Sequence, residues 1–163
     1  MLIDHFRDLA IPDLLVVAPD VGSIKMARAY ARRLGVSLAL VDKRRKGVDE
    51  TEVMNVIGEV KDRNVVIFDD VISTGRTIAQ AATVLCEYGA REVFVGATHA
   101  AFGDEAVKTL GAAPVREIVV TDSIPQPAER LGPMRARVLS VSALLGEAIR
   151  RIHEERSLSS LFV

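Results

Sequence analysis

Six short runs of apolar, mostly β-branched residues punctuate the chain: LLVVA at 14–18, SLALV at 37–41, VVIF at 65–68, EVFVGA at 92–97, REIVV at 116–120 and RVLS at 137–140. Each has the length of a strand, and several are apolar at consecutive positions rather than alternate ones, which marks strands buried on both faces. Segments of longer period lie between them. Ile24, Ala27, Ala31 and Leu34 recur at helical spacing and Gly35 follows; Ile78, Ala81, Leu85 and Tyr88 do the same before Gly89. Such residues share one helix face, and a glycine just past the last of them is the usual stop because it takes positive φ cheaply. A third amphipathic stretch runs over residues 144–152. No Pro/Gly/Ser linker, long charge block or repeat divides the chain, so residues 1–163 read as one domain. Buried strands alternating with helices predict an α/β fold, a doubly wound, mostly parallel sheet covered on both sides. Ligands of such sheets bind beyond the carboxyl ends of the strands, so the residues after each run carry the functional expectations.

The sharpest of these is V-V-I-F-D-D-V-I-S-T-G-R-T at 65–77. Two consecutive carboxylates, Asp69 and Asp70, end a buried strand, and a short loop of small and hydroxylated residues opens directly into a helix. Amides at a helix start lack intrahelical partners, and the helix dipole adds positive potential there. Ser73, Thr74 and Thr77 add hydroxyls, Gly75 lets the backbone approach a ligand closely, and Arg76 stands within the same loop. The string is a cradle for a phosphate, and acids beside it imply a phosphorylated sugar whose hydroxyls they accept. The plain alternative is a helix cap by Ser73 or Thr74 with two exposed turn acids.

A second loop repeats the logic after the first strand: Pro19, Asp20, Val21, Gly22, Ser23, then a helix. Asp20 suits a magnesium ion carried by a pyrophosphate, with the loop amides on the phosphates; as plain structure, P-D-x-G is also a common turn. The third candidate is Asp42-Lys43-Arg44-Arg45-Lys46-Gly47, followed by an acidic stretch and E-V-M-N-V-I-G-E-V at 52–60. Four adjacent cations near a phosphate cradle can neutralise charge on a transferring phosphoryl group, and the segment reads as a mobile flap. The alternative is a solvated basic turn balanced by Asp49, Glu50 and Glu52.

Composition narrows the classes. With 21 basic and 22 acidic side chains and a net charge of −1, the chain lacks the basic surplus of a broad nucleic-acid-binding face. Its single cysteine, Cys86, excludes an internal disulfide and a multi-cysteine zinc site; it reads as a buried, inert thiol. No run approaches the ~18 apolar residues of a membrane span, and the acidic amino terminus is unlike a secretory signal, so a cytoplasmic protein is expected. His5, His99 and His153 are scattered and read as structural or surface groups, although His99 lies past a strand end. Thr121-Asp122-Ser123 reads equally as a site edge or a strand-ending turn. The pair Arg150–Arg151 suits a helix carboxyl end.

The string at 65–77 resembles the phosphoribosyl pyrophosphate loop of the type I phosphoribosyltransferase fold. Together with P-D-V-G, D-K-R-R, E-V-M-N-V-I-G-E-V, A-T-H-A-A-F (97–102), V-V-T-D-S-I-P (119–125) and the stretch at 138–162 ending in L-S-S-L-F, it resembles the ribose-phosphate diphosphokinases over essentially its whole length. The resemblance implies transfer of the β,γ-diphosphoryl group of ATP to the 1-hydroxyl of ribose 5-phosphate, with Mg²⁺ as cofactor, giving phosphoribosyl pyrophosphate and AMP. It implies that Lys43 and Arg45 stabilise the transition state and that Asp20 helps to hold Mg²⁺. Asp20, Val21, Gly22 and Ser23 would form the pyrophosphate loop. Asp69 and Asp70 would face the ribose hydroxyls, while Ser73, Thr74, Gly75, Arg76 and Thr77 wrap the 5′-phosphate. Three positions depart from the family pattern: Ser73 stands where Asp is frequent, and Arg76 and Ser23 where Gly is frequent. The family's chain is about twice as long, and this sequence corresponds to its carboxyl-terminal half. A homo-oligomer, or a partnership with an amino-terminal half, is therefore expected. Two alternatives remain: a free-standing phosphoribosyltransferase that consumes phosphoribosyl pyrophosphate, and a non-catalytic ribose-phosphate-binding or regulatory homologue.

Overall fold

The computed structural model describes residues 1–44 and 53–161. A short helix α1 (Leu2–Asp8) leads into β1 (Leu14–Ala18), α2 (Ile24–Leu34), β2 (Ser37–Arg44), β3 (Val53–Ile57) and β4 (Asn64–Ile72). Then come α3 (Arg76–Glu87), β5 (Glu92–Ala100), α4 (Asp104–Ala112), β6 (Glu117–Thr121), α5 (Ala128–Leu131), β7 (Ala136–Leu139) and α6 (Ser142–His153). The strands form one seven-stranded sheet in the order β3-β2-β1-β4-β5-β6-β7. All neighbours are parallel except β2 and β3, which form an antiparallel edge hairpin. The doubly wound, mostly parallel expectation is met.

Unbroken apolar runs become the central strands because helices cover both faces. β1 is buried throughout, and β4 is buried from Asn64 to Phe68. One layer packs Val65, Ile67, Val93, Val95 and Ile118 under Ile78, Ala81, Leu85, Ala106 and Leu110 of α3 and α4. The opposite layer packs Val16, Val66, Phe68 and Val119 under Phe6, Ala27 and Ala31 of α1 and α2. Phe68 anchors that second layer: Tyr30 stacks on its ring at 3.8 Å, and Phe6 meets it edge-on at 5.4 Å. Gly96 is required beside it, because a Cβ there would lie 2.8 Å from the Phe68 ring.

Several sequence expectations change. The residues read as a mobile flap are in part β3, paired to β2 from Leu40↔Ile57 to Arg44↔Val53; residues 45–52 lie outside those described. α1 and α4 went unpredicted, and β4 and β5 run on to Ile72 and Ala100, beyond their apolar stretches. Tyr88, expected on the apolar face of α3, is the exposed residue at its end. The amphipathic stretch near the carboxyl terminus is α6, but no residue of it is buried. Leu145, Ile149 and Ile152 are 55%, 67% and 63% exposed, so among the described residues nothing covers its apolar stripe.

Phe68→Ala removes a ring packed on two sides and should cost about 3–5 kcal/mol, whereas Ile149→Ser on the exposed stripe should stay within about 0.5 kcal/mol. Urea denaturation of the two variants checks the contrast.

Candidate functional site

The sheet grows in opposite directions from β1 and β4, which lie side by side, in register from Leu14↔Asn64 to Val17↔Ile67. Loops leaving these two strands diverge to opposite faces and open a crevice between them. The Asp20 loop and the Asp69–Thr77 loop flank that crevice, so the fold brings together the two strongest sequence candidates.

After β4, Asp69 is half-buried and Asp70 exposed. Each carboxylate accepts the amide of the following residue, Asp70 N–H to Asp69 Oδ1 at 2.9 Å and Val71 N–H to Asp70 Oδ1 at 2.8 Å. Burial raises the Asp69 carboxyl to about 6, with further upward pressure from the hydrogen bond and charge of Asp70 and from the charge of Asp20; the Asp70 amide pulls the other way. Three acids thus converge, which a ligand's hydroxyl donors or a cation would relieve.

Residues 69 and 71–78 line a cleft of about 70 Å³, well above the ~10–15 Å³ that one water needs. Gly75 is the residue before α3, with φ of 72°, and no side chain caps the helix. The simple capping alternative for Ser73 and Thr74 is therefore not what the loop does; Thr74 Oγ1 makes only a 3.5 Å contact with the Arg76 amide. Ser73, Thr74 and Thr77 remain exposed at the cleft. A Cβ on Gly75 would lie 2.5 Å from Leu110, so the core beneath dictates the loop's shape. Arg76 turns outward and pairs with Glu105 on α4, leaving backbone and hydroxyls to line the cleft.

At the other loop, Ser23 ties the turn closed. Its amide donates to Asp20 Oδ1 at 2.8 Å, and its hydroxyl donates to the Asp20 carbonyl at 2.9 Å. Asp20 is half-buried, while Val21 and Gly22 are exposed. The turn reading of P-D-x-G thus holds without removing Asp20 from the crevice. Lys43 is an exposed residue of β2, opposite Met54 in the edge hairpin, and Arg45 lies outside the described residues.

Sequence reasoning missed two neighbours. Glu105 and Leu110 belong to α4, whose signal was the helical spacing of Ala106 and Leu110 after Gly103. The Thr121–Ser123 turn divides in role: Asp122 accepts the Val141 amide at 2.8 Å, while Ser123 sits 2.9 Å from His99 Nδ1. His99, expected past a strand end, lies inside β5. Cys86, expected to be buried, is only half-buried, and burial raises its thiol. Larger clefts of about 690 and 490 Å³ lie away from this crevice, along α3 and α4 and beneath the amino ends of the strands.

Because Asp69 titrates near 6 in the folded chain, against an ordinary value of 3.8, the fold disfavours its charged form. That penalty is absent near pH 4 and below, grows as pH rises through 6, and is then constant. Asp69→Asn should therefore raise the thermal midpoint relative to the native chain above pH 6, with the gain vanishing toward pH 4. Thermal denaturation from pH 4 to 8 measures it.

Residues 46–163 match the family described as the phosphoribosyl synthetase-associated domain. A ribose-phosphate pyrophosphokinase of Gloeobacter violaceus is 47% identical over 99% of this chain and 49% of its own length. One of Burkholderia pseudomallei is 46% identical over 99% of this chain and 51% of its own. Among solved structures, phosphoribosylpyrophosphate synthetase of Mycobacterium smegmatis superposes with a TM-score of 0.81 at 36% identity, covering 93% of this chain and 48% of that one. A purine phosphoribosyltransferase of Pyrococcus horikoshii, at 19% identity and a TM-score of 0.53, shares the fold. The chain spans about half the length of the curated relatives it matches.

Proposed function

The chain belongs to the family of the phosphoribosyl synthetase-associated domain, and from that premise we propose that it is the ribose 5-phosphate-binding half of a ribose-phosphate pyrophosphokinase. The observation that carries this reading is the cleft at 69–78, where a glycine-shaped loop, an uncapped helix start and paired acids meet at the crevice beside β1. In the proposed reaction the 1-hydroxyl oxygen of ribose 5-phosphate attacks the β-phosphorus of ATP. The bond from that phosphorus to the bridging oxygen of the α-phosphate breaks, AMP leaves, and the hydroxyl proton passes to solvent. Positioning and charge neutralisation carry most of such a transfer. Asp69 and Asp70 accept the ribose hydroxyls, and the amides and hydroxyls of residues 73–77 hold the 5′-phosphate. The Asp20–Ser23 loop receives the diphosphate, and Lys43 with Arg45 neutralises its charge.

Magnesium suits this donor set. No group of three or more His, Cys, Asp or Glu side chains among the described residues forms a metal cage, but Mg²⁺ ordinarily takes one or two carboxylates plus substrate phosphates and water. Asp20, near enough to Asp69 to raise it, is the carboxylate proposed to hold it. The ion would supply charge neutralisation on the phosphate oxygens. Among the described residues no helix is long and apolar enough to cross a membrane, and a cytoplasmic setting with free access to nucleotides fits the proposal.

The half-length span supports a proposal about partners. The apolar stripe of α6, with Leu144, Leu145, Ile149 and Ile152 exposed, is the surface that the remaining half of the family's chain would cover, and a second copy would cover it in that half's absence. The same span supports a second reading, a non-catalytic module that binds ribose phosphates without turning them over.

Asp69→Asn combined with Asp70→Asn should weaken ribose 5-phosphate binding at least about 10-fold by calorimetry, as loss of charge-assisted hydrogen bonds does; unchanged affinity would reject the cradle. AMP release from ATP, Mg²⁺ and ribose 5-phosphate separates enzyme from module: release by this chain alone, or only after adding the other half of a relative, identifies the enzyme. In sedimentation velocity the native chain should self-associate as concentration rises, and Leu145→Glu with Ile149→Glu should hold it monomeric.

A further inference from the structure

Between β5 and β6 the register slips: Gly96 pairs with Val119, but His99 pairs with Thr121, so β5 carries one extra residue. Such a bulge bends a strand and redirects the side chains after it. It also frees carbonyls from the ladder, and a buried unpaired carbonyl is costly. Here the last residue of β6 and those after it take them up. Thr121 Oγ1 donates to the Thr98 carbonyl at 2.7 Å, and Gln126 Nε2 donates to the Ala100 carbonyl at 2.7 Å. The Ser123 amide donates to Thr121 Oγ1 at 3.2 Å, and Ser123 Oγ lies 3.1 Å from the Thr98 carbonyl and 2.9 Å from His99 Nδ1. Thr121 Oγ1 also lies 2.8 Å from Ser123 Oγ, so the Ser123 hydroxyl has two acceptors within reach, the Thr98 carbonyl and His99 Nδ1. Donation to Nδ1 leaves the proton of a neutral ring on Nε2.

The ring so held belongs to the carboxyl edge of the crevice. β4 and β5 run on together past the end of β1, with Asp69 paired to Ala97 and Val71 to His99. His99 is thus one strand across and two residues along from Asp69, on the strand beside the cradle. The ring is half-buried, and among the described residues Nε2 makes no hydrogen bond. Three polar side chains brace this one strand end, while Nε2 is left without a hydrogen bond among the described residues.

We infer that His99 is a ligand-contacting residue of the same site, donating from Nε2–H to an oxygen of the sugar phosphate held by Asp69, Asp70 and residues 73–77, with Ser123 as its positioning residue. The inference rests on the ribose 5-phosphate reading above. In a crevice where three acids converge, an added oxyanion gains from a neutral donor that needs no charge partner of its own.

The test uses the ¹⁵N-labelled chain, titrated with ribose 5-phosphate and, in separate arms, with ribose and with inorganic phosphate. The chain has three histidines, so their imidazole nitrogens resolve individually. The expected result is movement of His99 Nε2 together with the 73–77 amides, along one binding curve, while His5 and His153 stay still. Before ligand is added, His99 should show the Nε2–H tautomer, and Ser123→Ala should abolish that preference. His99→Gln, which keeps a donor near Nε2, should bind within about 3-fold of native, and His99→Phe should bind about 10-fold more weakly, a loss typical of one charge-assisted hydrogen bond. If the 73–77 amides respond while His99 Nε2 does not, and His99→Phe binds as native does, the inference is overturned and the cradle stands. If neither responds to ribose 5-phosphate, both fall.

Discussion

A parallel sheet can reverse its direction of growth only by sending successive crossover helices to opposite faces, because each crossover is right-handed. The candidate site of this chain follows from that constraint acting between β1 and β4. The helix after β1 lies over the Phe68 layer and the helix after β4 over the opposite one, so the two loops part where the strands touch. A crevice results without any side chain being spent to hold it open. Apolar β1 and β4 supply the rigidity, and polar residues enter only after the strands leave the core.

Electrostatics then sorts the polar residues. Acids at the end of a buried strand are expensive to ionise, and Asp69 with Asp70 and Asp20 nearby is held in that state. A site of this kind suits a ligand that brings both hydroxyl donors and a phosphate. In the proposed reading the donors answer the acids, and the phosphate would sit against the helix start that no side chain caps. The outward turn of Arg76 toward Glu105 fits the same scheme, since the cleft relies on main-chain groups and tolerates an arginine in that position.

The central strands, α2, α3 and both loops were legible in the sequence because each was written in local terms: contiguous apolar runs, helical spacing, a glycine stop, acids beside small residues. What escaped was written across the sheet. β3 is a strand only because β2 pairs with it: its own residues, Val53 to Ile57, include Asn55, and Met54 and Val56 are only partly buried against the core. The extension of β4 and β5 beyond their apolar runs depends on each pairing with the other, so Asp70 and His99 lie in strands that composition would end earlier. The bond between His99 and Ser123 joins residues 24 apart in sequence and follows from a register slip that no local pattern announces. α6 read correctly as an amphipathic helix, but periodicity alone says that a face is apolar, not what covers it.

Gly75 meets Leu110 with no room for even a methyl group between them, so the shape of the cradle is inherited from the hydrocarbon interior. Repacking α4 would accordingly be felt as altered recognition before it registered as weakened folding, since a shift of a few tenths of an ångström is small for a core and large for a nest of amides. Under the proposed reading, selection for grip on a sugar phosphate therefore reaches inward to a leucine that never meets it.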